Sequence, residues 1–154
     1  MTGGGLSREA RGPAYRRRCR PRRATVGCDA GRVALLLDQN TLPAEGGTFV
    51  NFFGRSAPVS KAPAMLAQRT GAAILVTACL PIPGGRYRLS VCPPYRAEGV
   101  SVESATQEIL LRLEALIREH PGCWLWTYKR WKFVPPGAER ADYPYYARML
   151  QTGG

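Results

Sequence analysis

His120 is the only histidine among 154 residues, and it opens the run HPGCWLWTYKRWKF, residues 120–133. A histidine that serves as a base needs a carboxylate to orient its ring and a polar cleft to receive substrate. Glu119 leaves the opposite side of a helix end, and Pro121, Gly122, Cys123 and Trp124 follow. These neighbours predict a histidine at a helix C-terminus that meets the last carbonyls, rather than a catalytic one. A lone histidine also excludes a multi-histidine metal site. In an extended chain Trp124, Trp126 and Tyr128 share one face, and Leu125, Thr127 and Lys129 share the other. A surface that stacks nucleic-acid bases would need aromatics and cations on one exposed face. The spacing instead predicts a core strand whose tryptophans pack on the preceding helix. Lys129, Arg130 and Lys132 then stand at its rim, where three cations suit an anionic lipid or a phosphate.

Two further stretches carry polar groups with a use. Asp38, Gln39 and Asn40 place a carboxylate and two amides at the end of the apolar run Val33–Leu37, where open α/β sheets hold their sites. The same residues would serve equally as a polar turn or a helix cap. The stretch FVNFFGRSA, residues 49–57, sets Phe49, Phe52 and Phe53 beside Arg55. Such a mixture lines an acyl groove next to an anion contact, or forms the edge of a core. Gly46 and Gly47 match neither a P-loop nor a dinucleotide fingerprint.

The elements that must position these residues are punctuated clearly. Residues 33–40 and 72–80 are continuous apolar runs of the kind found in strands buried on both faces. Residues 42–47 read as a turn and 48–54 as a short aromatic strand or loop stopped by Gly54. Ser60, Pro63, Arg69 and Gly71 mark the start and end of one short helix. Strand, helix and strand with short joints predict a right-handed crossover and a mostly parallel sheet. Residues 84–91 alternate Tyr87, Leu89 and Val91 with Arg86, Arg88 and Ser90, the pattern of a half-exposed edge or antiparallel strand. A helix is predicted from Ser104 to Glu119, with Ser104 and Gln107 as a capping box and Ile109, Leu110, Leu113, Leu116 and Ile117 on one face. The Pro- and Tyr-containing stretch 134–154 is expected as an extended tail.

Composition bounds the function. Hydrophobic residues make up 45% of the chain, enough for a core. The net charge is +11, but residues 1–23 hold eight arginines against Glu9, so seven of those charges sit in the first 23 residues. Residues 1–30 are therefore expected to be a disordered Arg-rich arm. Charge so placed argues weakly for nucleic-acid binding by the folded part. Five cysteines without a C-x-x-C pair read as reduced thiols, and Cys79, inside an apolar run, as a small buried hydrophobe. No signal peptide is expected, and no apolar run approaches the ~20 residues that cross a bilayer.

Taken in order, ALLLDQN, GGTFVNFFGRSA, APAMLAQRTGAAILVTACL, GRYRLSV and IREHPGCWLWTYKRWK resemble the carboxyl-terminal half of the lipid A biosynthesis (lauroyl/myristoyl) acyltransferases, within the lysophospholipid acyltransferase superfamily. The resemblance covers roughly residues 33–132. It implies a partial α/β sandwich over residues 31–133 and transfer of a fatty acyl chain from an acyl carrier protein thioester to a hydroxyl of a lipid A precursor. It places that step of lipopolysaccharide and glycolipid synthesis at the cytoplasmic face of the inner membrane, without a cofactor or a metal. By the same resemblance Asp38, Gln39, Phe49, Phe52, Phe53, Arg55, Arg130 and Lys132 are expected to bind substrate. The family's base lies in a His-x-x-x-x-Asp/Glu motif, whereas Leu125 stands five residues after His120. No catalytic residue is therefore expected in this chain, and an inactive piece of a truncated or frame-disrupted gene is the corresponding expectation. The alternative is a basic protein that binds nucleic acid or an anionic membrane, with no specific nucleic acid expected.

Overall fold

The computed structural model describes residues 31–150; the arm expected over 1–30 and the last four residues lie outside them. After a single 3-10 turn at Pro43–Glu45 comes a hairpin of β1 (Gly47–Phe52) and β2 (Arg55–Ser60), paired antiparallel from Gly47 with Ser60 to Phe52 with Arg55. Its two-residue turn is Phe53–Gly54, both at positive φ (51° and 80°), which matches the right-handed twist of the strands. The Asn51 Oδ1 accepts the Gly54 N–H at 2.9 Å and fixes that turn. At the other end the Gly47 N–H donates to the Leu42 carbonyl at 2.9 Å. A Cβ on Gly47 would fall 1.8 Å from the Thr41 oxygen, so only glycine fits there.

Helix α1 (Ala62–Thr70) has Pro63 in its first turn and Gly71 left-handed at its end (φ 66°), as its punctuation predicts, but its N-cap is Lys61 rather than Ser60. Helix α2 (Val102–Glu119) begins two residues earlier than expected. Its N-cap is Ser101, whose Oγ accepts from the Ser104 N–H at 3.0 Å. Gln107 is thereby freed from capping and holds the hairpin instead: its Oε1 accepts the Asn51 N–H at 2.7 Å and its Nε2 donates to the Asn51 carbonyl at 3.0 Å. Glu114 Oε1 accepts the Phe53 N–H at 2.8 Å, a second tie along the same helix. The inward faces of β1 and β2 (Val50, Phe52, Ala57, Val59) close the main core with Ala64 and Ala67 of α1 and with Ile109, Leu110, Leu116 and Ile117 of α2.

The chain is mixed α/β, but its sheets are small and mostly antiparallel. The expected mostly parallel sheet is not formed among the described residues. Residues 72–80 yield only β3 (Thr77–Ile82), which turns back at Gly84 and Gly85 into β4 (Arg86–Val91) as an antiparallel hairpin. Residues 33–37 form no strand and expose Val33, Leu35 and Leu36. The physical reason is connectivity: tight turns close each strand on its neighbour, and α1 joins two different hairpins rather than two strands of one sheet. Cys79 is exposed rather than buried, because it lies on the face of β3 turned away from the core. The only parallel pairing among the described residues is β5 (Phe133–Val134) with β6 (Arg148–Met149). There Val134, Tyr143 and Ala147 form a second small cluster, and Trp131 packs against both clusters.

Candidate functional site

The stretch 124–132 is a series of turns and not a strand, so its side chains do not alternate. The Tyr128 N–H donates to the Leu125 carbonyl (3.1 Å) and the Arg130 N–H to the Tyr128 carbonyl (2.8 Å), and each turn re-aims the next side chain. Trp124 and Trp131 go into the core, their rings 5.9 and 6.1 Å from that of Phe52, and the Trp131 Nε1 donates to the Phe52 carbonyl at 3.1 Å. Trp126 stays half outside, 5.9 Å from Phe53, with its Nε1 on the Pro121 carbonyl at 2.7 Å. Phe52 and Phe53 meet edge to face at 4.8 Å and complete an aromatic wall at the end of the first hairpin.

Arg130 contradicts the rim position expected for it: it is 1% exposed. Its guanidinium lies 5.2 Å from the Phe52 ring centre, and its Nη1 donates to the Gln39 carbonyl at 2.8 Å. Its Nε and Nη2 find no hydrogen-bond partner among the described residues, nor does the Asn40 Oδ1. Burial pushes the guanidinium down to about 10, against the opposing pull of Tyr128 and Asp38. The Asp-Gln-Asn turn is held from the same side: the Asn40 N–H donates to the Tyr128 hydroxyl at 2.8 Å and its Nδ2 to the Lys129 carbonyl at 3.1 Å. Two segments some ninety positions apart in sequence are thus joined by three hydrogen bonds.

Of the expected binding residues, the fold brings together Gln39, Phe52, Phe53 and Arg130, with Asp38 exposed on the same turn. The others sit elsewhere. Phe49 points to the opposite face of β1 and lines a shallow hollow of about 370 Å³ with Glu103, Gln107 and Leu111 of α2. Arg55 donates through Nε to the Asp142 carbonyl at 2.7 Å, and the Lys132 ammonium lies 5.2 Å from the Phe133 ring. Sequence reading missed Tyr128 and Asn40 as the pair that fixes the turn, and Gln107 and Glu114 as the pair that fixes the hairpin. Asn40 was visible within the polar triplet, but no local spacing links it to a tyrosine so far away.

His120 caps α2 through its backbone, donating to the Leu116 and Ile117 carbonyls at 3.1 and 3.2 Å. Among the described residues no cluster of three His, Cys, Asp or Glu side chains is placed to hold a metal ion. No helix among them is long and apolar enough to cross a membrane. No curated protein gives a match to the chain. The sequence model for bacterial lipid A biosynthesis acyltransferases matches residues 29–133, a span that takes in the polar turn, both hairpins, both helices and the aromatic run. The segments that converge on Arg130 are therefore matched together in one span, and this chain belongs to the bacterial lipid A biosynthesis acyltransferase family.

Proposed function

We propose that this chain supplies the substrate-holding part of a lipid A acyltransferase and does not transfer acyl groups by itself. The observation that carries the proposal is the convergence of the 38–40 turn and the 128–131 segment on the end of the first hairpin. An aromatic wall of Phe52, Phe53 and Trp126, with Trp126 partly open to solvent, suits an acyl chain. In this reading exposed Asp38 and Gln39 meet polar groups of the acceptor, while Arg55, bonded to the Asp142 carbonyl, and Lys132, beside the Phe133 ring, stand apart from that turn. Arg130, being buried, acts as a positioning residue that holds the Gln39 carbonyl and so the turn.

The donor in this reading is an acyl carrier protein thioester, and the acceptor is a hydroxyl of a lipid A precursor at the cytoplasmic face of the inner membrane. The base that deprotonates this hydroxyl comes from outside these 154 residues. His120 is the only histidine, and position 125 is leucine, so the His-x-x-x-x-Asp/Glu pairing is not present in these residues. Residues 31–133 form the family portion in this reading, with the arm 1–30 and the stretch 134–154 added to it.

The test is an incubation of the purified full chain with acyl carrier protein thioester and lipid A precursor. The expected result is no acylated product above the enzyme-free background. Turnover that disappears in His120→Ala would overturn the proposal.

A further inference from the structure

The β3–β4 hairpin has one face that no other element among the described residues covers. Its cross-strand pairs Cys79 with Leu89, Pro81 with Tyr87 and Thr77 with Val91 all point outward. Tyr87, Leu89 and Val91 are 69%, 63% and 48% exposed, while Leu80 on the other face is buried. Contiguous apolar surface of this kind marks a place where something binds.

Charge selects the occupant. From Gly46 to Ala97 the sequence contains six cations and no aspartate or glutamate at all. Arg86 and Arg88 alternate with Tyr87 along β4 and so leave from the opposite face, across from Ile82 and Leu80; both are exposed and form no ion pair among the described residues. A second copy of the chain would bring two such acid-free segments against each other. An anionic bilayer instead offers hydrocarbon to the apolar face and phosphates to the arginines. The side chains suit that boundary: tyrosine sets an amphipathic ring into it, and the arginines, leaving from the face of β4 turned away from the hydrocarbon, stand at the level of the phosphates. The Gly84–Gly85 turn, left-handed at both residues, keeps the tip free of bulky side chains.

We infer that the β3–β4 hairpin is a docking element that lays Pro81, Tyr87 and Leu89 on an anionic lipid surface, with Arg86 and Arg88 bound to its phosphates. The inference rests on the membrane-facing part of the proposed function and assigns that contact to particular residues. It is independent of whether the chain turns over substrate.

Co-sedimentation of the full chain with vesicles of phosphatidylcholine, alone or mixed with phosphatidylglycerol, tests it. The chain partitions onto the anionic vesicles, and amide hydrogen exchange slows over residues 81–91 when it does. Arg86→Gln with Arg88→Gln weakens that partition about twenty-fivefold, because each basic residue near the surface contributes about fivefold. Tyr87→Ser with Leu89→Ser weakens it at least about tenfold through lost apolar burial. All four positions are exposed, so circular dichroism spectra match wild type. Anionic binding that neither pair of substitutions weakens would overturn the inference while leaving membrane association to other cations. A wild-type chain that binds neither vesicle would overturn both the inference and the membrane part of the proposed function. Self-association abolished by Tyr87→Ser with Leu89→Ser, without vesicle binding, would assign the face to a second copy instead.

Discussion

Glu114 offers the most direct test of how the first hairpin, and with it the aromatic wall, is fixed to α2. Its side chain is 3% exposed, with Oε1 accepting the Phe53 N–H at 2.8 Å and Oε2 accepting the Arg118 Nη2 at 2.7 Å. Phe53 lies in the turn, so its N–H has no strand partner and depends on this carboxylate. Glu114→Gln keeps an acceptor for Phe53 but gives up the charge. The difference between a charged and a neutral hydrogen bond is about 1 kcal/mol, and the ion pair with exposed Arg118 adds about 0.3–0.5 kcal/mol. Glu114→Ala leaves the Phe53 N–H unpaired, at about 1–3 kcal/mol, and removes packed methylene carbon at about 0.8 kcal/mol per CH₂. The expected losses are therefore about 1.5 kcal/mol for glutamine and about 3 kcal/mol for alanine. Urea unfolding of the full chain, followed by tryptophan fluorescence, reads both, since Trp124 and Trp131 flank Phe52. An alanine variant within about 0.5 kcal/mol of wild type, below the range for an unmet donor, would refute the reasoning.

Gly47→Ala should lower the melting temperature clearly, because the new Cβ meets the Thr41 backbone and the strand start must shift, at about 1–3 kcal/mol; an unchanged melting curve would contradict the geometry. Arg130→Met, apolar and of similar length, removes a charge penalty of about 3 kcal/mol but gives up the Gln39 hydrogen bond and the Phe52 contact, so stability at pH 7 should change by less than about 1 kcal/mol. The folded-state value of Arg130 lies below its ordinary one, so the native state loses the proton first: relative to the Met variant, wild type should hold level from pH 6 to 9 and gain stability above about pH 10, and a difference that stays constant through pH 11 would refute this. The open apolar run at Val33–Leu36, with Leu36 87% exposed, should bind a hydrophobic dye under native conditions, and Leu35→Ser with Leu36→Ser should reduce that signal.

The helices were legible because their signals are local. In α2 the spacing of Ile109, Leu110, Leu116 and Ile117 gives the buried face directly. Only its start was displaced, since Ser101 and Ser104 are equally good caps by type and tertiary structure decides between them. The sheets were less legible. A continuous apolar run such as residues 72–80 implies burial on both faces only if a covering layer exists, and here Leu75 and Cys79 face outward. Strand β2 went unread because Pro58 interrupts its pattern, yet Pro58 is tolerated and buried opposite Phe49. Arg130 was misplaced for a similar reason: strand alternation puts a cation in a basic run at the rim, whereas the turns between Leu125 and Arg130 swing this one inward.

The position of Arg130 bears on the proposed function through its energetics. A buried guanidinium with one hydrogen bond and two donors without partners among the described residues adds little net stability, and an apolar side chain of the same length would fill the space about as well. Stability alone therefore gives no reason for an arginine here. What arginine supplies and methionine does not is a rigid donor to the Gln39 carbonyl, which sets the direction in which Asp38 and the Gln39 side chain leave the turn. On this reasoning Arg130→Met should leave the fold intact yet loosen the 38–40 turn, seen as faster amide exchange at Gln39 and Asn40. Exchange there equal to wild type would mean that Tyr128 and the Lys129 carbonyl hold the turn without it.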